Sequence, residues 1–284
     1  MKWSGRRQSG NVEDRRGMGG RGLAVGGGGI VAVIITLVVL FLGGDPGTIL
    51  DQNQGSGFPT SPAVSTLNPQ EEELKQFAAV VLADTEDVWT EQFRLMGDSY
   101  RKPFLVLYSR IVQTPSGFAS AASGPFYSPQ DERIYLDLSF FQELTDRFGA
   151  PGDFAQAYVV AHEVGHHVQK LLGILDQVTA AQSNVSEAEA SRLSVALELQ
   201  ADFLAGVWAY YAQTSLGVVE PGDIEEALGA ASSIGDDRLQ MEAQGYVTPD
   251  SFTHGTSEQR VRWFKLGFDT GDLSRGDTFS ANPL

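Results

Sequence analysis

The chain has 284 residues, with 20 Lys and Arg against 36 Asp and Glu and a formal charge of −16. That acidic balance excludes a nucleic-acid partner, which needs a basic face. The absence of Cys excludes disulfides, thiolate metal sites, Fe–S clusters and Cys nucleophiles, so any metal must be held by His, Asp or Glu.

Residues 1–22 form a basic head, with Lys2, Arg6, Arg7, Arg15, Arg16 and Arg21 set against Glu13 and Asp14. The stretch from Leu23 to Gly44 carries no charge. About 20 residues rising ~1.5 Å each cross a hydrocarbon core of about 30 Å. The stretch outruns the roughly 7–15-residue core of a cleaved signal and lacks its small-x-small end. One uncleaved transmembrane helix over 23–44 is therefore expected. The positive-inside rule then puts the N-terminus in the cytosol and everything after residue 44 outside it, on a single-pass protein of the cell membrane. Residues 45–67, rich in Gly, Pro, Ser, Thr and Gln, read as a flexible linker.

A folded domain is expected over 68–284. Asn68, Pro69 and the acids Glu71, Glu72 and Glu73 have the pattern of a helix start. Apolar residues from Phe77 to Leu82 and at Val88, Trp89 and Phe93 predict two helical segments split near Asp84. Phe104–Tyr108 is a short apolar strand. Arg133–Leu138 alternates with period two, placing Ile134, Leu136 and Leu138 on one face. Helices are predicted over 140–148, 154–172, about 187–213, about 223–243 and 257–268. Asp153 with Gln156, and Thr256 with Gln259, have capping-box spacing. The fold class is α+β, mostly helical with a small sheet.

The chemistry centres on Ala161-His162-Glu163-Val164-Gly165-His166-His167. Two His four residues apart on a helix share one face and can reach a single Zn²⁺, with Glu163 beside the remaining coordination position to take a proton from water. His167 lies about 100° round the helix and is read as packed or hydrogen-bonded rather than ligating. A third ligand is needed. The apolar stretch 193–211 has only Glu198 and Asp202 as charges, and two acids on a buried helix call for a cation or strong donors. Glu198 is assigned as third ligand, with Asp202 accepting the free N–H of a zinc-binding His. Spacing alone leaves the reverse assignment of the two acids open.

HEVGHH followed by ELQADFLAGVWA, with GPFYSPQDERIYLDLSFF upstream and SFTHGTSEQRVRWF downstream, resembles the neutral zinc metallopeptidase family of bacterial membrane-anchored proteins. The resemblance spans essentially the whole chain. It implies a zincin-like domain, with Glu198 and Asp202 matching a Glu-x-x-x-Asp third-ligand helix. It also implies an edge strand that pairs with bound peptide, for which Arg133–Leu138 is the candidate. His254, on the loop before the 257–268 helix, suits stabilisation of an oxyanion. Arg260 reads as a structural ion-pair residue.

The function expected is that of a membrane-anchored zinc metallopeptidase acting on a peptide or protein substrate, with His162, His166 and Glu198 on Zn²⁺ and Glu163 as general base. Two alternatives share these residues: a membrane-anchored binding or assembly protein with structural zinc, and a zinc hydrolase of a non-peptide bond such as a cell-wall amide.

Overall fold

The computed structural model describes residues 1–18, 68–282 and 284. The expected span over 23–44 and the linker over 45–67 lie outside the described residues. Among the described residues no helix is long and apolar enough to cross a membrane. The architecture is mostly helical α+β, with one four-stranded and one two-stranded sheet.

Helix α1 runs unbroken over Pro69–Leu95. It starts as the sequence predicts: the Asn68 side chain accepts from the Gln70 N–H, Pro69 occupies the first turn, and Glu71 and Glu72 sit at the positive end. The predicted split near Asp84 does not occur. Asp84 and Glu86 are buried in mid-helix, and residues of the head meet them there. Arg6 donates to Asp84, while Ser9, Asn11 and Arg7 donate to Glu86.

The basic head is therefore part of the domain, which corrects the expected division at residue 68. Val12–Asp14 forms β1 and lies parallel to β2 (Phe104–Tyr108), with Val12 opposite Leu105 and Asp14 opposite Leu107. A three-residue strand has no periodicity to read, and its partner lies far along the chain.

The larger sheet runs β1–β2–β6–β5, where β5 is Phe126–Ser128 and β6 is Arg133–Asp137. Strand β6 lies parallel to β2 and antiparallel to β5. Arg133–Leu138 is thus interior, not the peptide-facing edge expected of it. The free edge on that side belongs to β5. Leu105, Leu107, Ile134 and Leu136 face the helical core. Val106, Tyr108 and Tyr135 fill the other face with Val112. Val112 belongs to a hairpin of β3 (Ile111–Thr114) and β4 (Gly117–Ser120).

The remaining helices are α2 (Ser139–Asp146), α3 (Asp153–Leu171), α4 (Ile174–Gln182), α5 (Glu187–Thr214), α6 (Asp223–Ser233), α7 (Asp236–Gln244) and α8 (Ser257–Thr270). Thr256 and Gln259 form the predicted capping box, whereas Asp153 follows a Gly152 cap instead of capping the helix itself. The single helix predicted over 223–243 breaks at Gly235, where a Cβ would lie 2.3 Å from the Ser257 nitrogen. The core forms where α3, α5 and α8 meet. Phe154 stacks on Trp208 with centroids 5.6 Å apart. Helices α5 and α8 touch backbone to backbone: a Cβ on Gly206 would come 2.0 Å from the Phe264 carbonyl oxygen. That contact carries Arg260 toward the site.

Candidate metal centre

Helix α3 supplies His162, Glu163 and His166, and α5 supplies Glu198 and Asp202. The buried residues Val160, Val164 and Val168 seat α3 in the core. The two helices approach closely beside the motif because residue 165 is Gly. A Cβ there would lie 3.0 Å from the Ala201 carbonyl oxygen. As a result the ligand atoms of His162, His166 and Glu198 all fall within 4.8 Å of one another. His162 Nε2 is 3.2 Å from one Glu198 carboxylate oxygen, and His166 Nε2 is 3.5 Å from the other.

Hydrogen bonds behind the rings fix which nitrogen of each His faces Glu198. His162 Nδ1 lies 2.9 Å from Asp202 Oδ1. A carboxylate only accepts, so Nδ1 carries a proton, and the ring turns Nε2 toward Glu198. His166 Nδ1 lies 2.9 Å from Gln169 Oε1. The Gln169 amide nitrogen donates to the Leu197 carbonyl at 2.7 Å, so its oxygen is the end that accepts from His166. Both imidazoles thus turn Nε2 toward one carboxylate. Two imidazole nitrogens and one carboxylate oxygen form a three-ligand donor set suited to Zn²⁺.

Asp202 is wholly buried. Besides His162 it accepts from Tyr158 Oη at 2.5 Å and from Arg260 Nε and Nη2 at 2.8 and 3.0 Å. Arg260 also bonds the Tyr158 oxygen at 3.2 Å. Burial pushes the Asp202 carboxyl up, but Arg260 and His162 outweigh it and hold it below the usual range. Arg260 is the structural ion-pair residue that the sequence suggests, and its partner is the acid behind His162. Burial alone would depress His162. The Asp202 charge and the bonds to Asp202 and Glu198 override burial and lift it to about 10. Glu198 is held well below its ordinary value against burial, chiefly by His166 and His162.

Glu163 is buried beside this set. Burial raises its carboxyl, against the pull of the two neighbouring His. No hydrogen bond occupies it among the described residues. His167 turns away: Nε2 donates to the Arg101 carbonyl at 2.6 Å, so Nδ1 accepts from Tyr127 Oη at 3.0 Å. Burial holds it neutral by lowering its pKa. It ties the metal helix to β5.

His254 lies on the loop before α8, beside Glu198 and near enough to feel its charge. Its ring is held by Asp236, whose Oδ1 is 3.1 Å from His254 Nδ1. Oδ2 of the same residue accepts the backbone N–H groups of Thr253 and His254 at 2.7 and 2.6 Å. Asp236 and Gln169 are neighbours of the candidate site that sequence reading misses. Gln169 sits three residues after His166 on the same helix, a spacing that could have flagged it. Asp236 gives no such signal, because only the break at Gly235 brings it to the loop.

Another carboxylate group among the described residues, Asp153, Asp223 and Glu226, contains no His. It faces the N-terminal amine of the chain, which lies 2.5 Å from Asp153 and 3.2 Å from Asp223.

Comparison with known proteins agrees with this donor chemistry. The family described as "Putative neutral zinc metallopeptidase" matches residues 1–279, head included. The chain is 51% identical over 289 residues to the uncharacterized protein YpfJ of Escherichia coli strain K12, covering 98% of this chain and 99% of that protein. It is 42% identical over 263 residues to the uncharacterized protein Rv2575 of Mycobacterium tuberculosis strain H37Rv, covering 86% of each. No solved structure matches. On the match across residues 1–279, the chain belongs to this neutral zinc metallopeptidase family.

Proposed function

We propose that the chain is a zinc-dependent peptidase of zincin type, with Zn²⁺ held by His162, His166 and Glu198. The observation that carries this reading is the convergence of the His162 and His166 Nε2 atoms on Glu198, with Glu163 buried and unbonded beside them. Zn²⁺ at this site supplies a Lewis acid that makes water a nucleophile near neutral pH and polarises a carbonyl. Glu163 takes the proton of the attacking water and passes it to the leaving amine. Asp202 holds His162 in the ligating tautomer, and Gln169 does the same for His166. His254, clamped by Asp236, donates from its free Nε2 to the oxyanion that develops on the scissile carbonyl. The substrate backbone pairs along the free edge of β5, which Tyr127 and His167 tie to the metal helix.

A purely structural zinc would take four protein ligands. Three donors converge here, and a buried acid with no bond partner among the described residues has no structural use beside them. We also propose that Leu23–Gly44 holds the enzyme at a bilayer, on the strength of its length and lack of charge. The test of the activity is a peptide-library digest by the purified chain, with and without a chelator, using Glu163→Gln as control. Zinc-dependent cleavage that the variant lacks supports the proposal. Cleavage that survives both treatments refutes it.

A further inference from the structure

Residues 1–18 are held to the domain by a strand and by buried ion pairs. The Leu105 N–H donates to the Asn11 carbonyl at 2.8 Å and the Arg15 N–H to the Leu107 carbonyl at 2.7 Å, bracketing β1 on β2. Trp3 packs edge-on against Phe77 with centroids 5.5 Å apart. Glu86, with 1% of its side chain exposed, is bonded by Ser9, Asn11 and Arg7 of the head and by Lys102 of the domain. Asp84, with 3% exposed, pairs with Arg6. Arg16, also 3% exposed, joins Asp14 to Glu71 and Glu72 of α1. Without the head, β2 would present an open strand edge, and two acids would lie buried in α1 short of partners. The domain is built to hold residues 1–18.

This bears on membrane topology. The arginines Arg6, Arg7, Arg15 and Arg16 are four of the six basic residues from which sequence reading places the N-terminus in the cytosol. In the structure all four are engaged: Arg6 with Asp84, Arg7 with Glu86 and Asp87, Arg15 with Glu13, and Arg16 as above. A segment that crosses a bilayer once leaves its flanks on opposite sides. A strand cannot hydrogen-bond to a sheet through about 30 Å of hydrocarbon. Exchanging heads between two copies does not escape this, because every copy would have its head on the wrong side.

We infer that residues 1–18 and the domain over residues 68–284 lie on the same side of any membrane the protein meets. This stands independently of zinc or proteolysis, and it replaces the single-pass orientation expected from charge.

Because the chain has no Cys, single-cysteine variants test it cleanly. Gln8 and Ala188 are both exposed, so Gln8→Cys and Ala188→Cys leave the docked contacts intact. In sealed vesicles of one orientation from cells making the full chain, a membrane-impermeant maleimide should treat the two alike: both labelled at once, or both only after detergent. Labelling of one from outside and the other only after detergent would overturn the inference. A second arm checks docking itself by amide hydrogen exchange on the full chain. The Leu105 and Arg15 amides should exchange at least about tenfold more slowly than unstructured chain; exchange at the unstructured rate would overturn it as well.

Discussion

His162 and Asp202, forty residues apart in sequence, meet through a 2.9 Å bond from Nδ1 to Oδ1 that turns His162 Nε2 toward Glu198. Behind that bond lies Arg260, itself buried, so the ring that would hold the metal is oriented by an ion pair sealed in the core. The proposed metal site and the core therefore share residues.

Replacing Asp202 should consequently do two things at once. Asp202→Ala leaves Arg260 buried without its counter-charge, which costs about 3–5 kcal/mol when one partner of a buried pair is removed. It also frees the His162 tautomer, and zinc affinity should fall about 10–100-fold, as it does when the partner behind a ligating His is lost. Denaturant unfolding and zinc titration measure the two effects separately. A variant with native stability and native affinity would show that Asp202 plays neither role.

Glu163→Gln should keep the zinc and the fold, since Glu163 makes no hydrogen bond among the described residues and its burial favours a neutral side chain. Turnover should drop by at least about 10²-fold, the lower range for a positioned proton-transfer group. Full activity in a zinc-loaded variant would remove Glu163 from the chemistry.

The metal motif and the Glu198–Asp202 pair were legible because their spacing is local and their setting is apolar: charges on a buried helix demand an explanation. The capping box at Thr256 was legible for the same reason. What could not be read was anything fixed by long-range pairing. β1 is too short to carry a pattern, and Asp84 looked like a helix break because the arginines that meet it lie far away in sequence. Arg133–Leu138 was recognised as a strand, but alternation says nothing of sheet order. The hairpin that buries Tyr135 conceals that β6 is interior. Asp236 came to the His254 loop only through a break that close packing of Gly235 on Ser257 imposes.

Gly165 offers a test of how tightly helix spacing sets the site. A Cβ at this position would lie 3.0 and 3.2 Å from the Ala201 oxygen and Cα, so α3 and α5 must part by a few tenths of an ångström. Gly165→Ala should cost about 1–3 kcal/mol through overpacking, offset in part by better helix propensity of up to about 1 kcal/mol. Zinc affinity should fall with it. Unchanged affinity, read by competition with a chromophoric chelator, would mean the ligands tolerate a wider gap than proposed.

Acid should loosen the head. Burial pushes the Glu86 carboxyl up, but bonds from Ser9, Asn11 and Lys102 win and hold it below its ordinary 4.5. A carboxylate depressed in the folded state adds stability above its unfolded value and loses it as pH falls through the folded one. Asp84 works with the opposite sign, because burial raises it despite Arg6. Protection of the Leu105 amide, relative to unstructured chain, should decline as pH falls from about 5 to 3. Glu86→Gln should flatten that decline, and an equal slope in the two proteins would assign the acid sensitivity elsewhere.

The central claim is a zinc ion held by two imidazoles and one carboxylate with a position left for water. Zinc K-edge absorption on the purified, zinc-loaded chain tests it most directly. The account predicts about one zinc per chain, two imidazole nitrogens at about 2.0–2.1 Å and oxygen for the rest of the shell, with the metal lost in Glu198→Ala. A chain that binds no zinc, or a shell that is unchanged when Glu198 is removed, would contradict it.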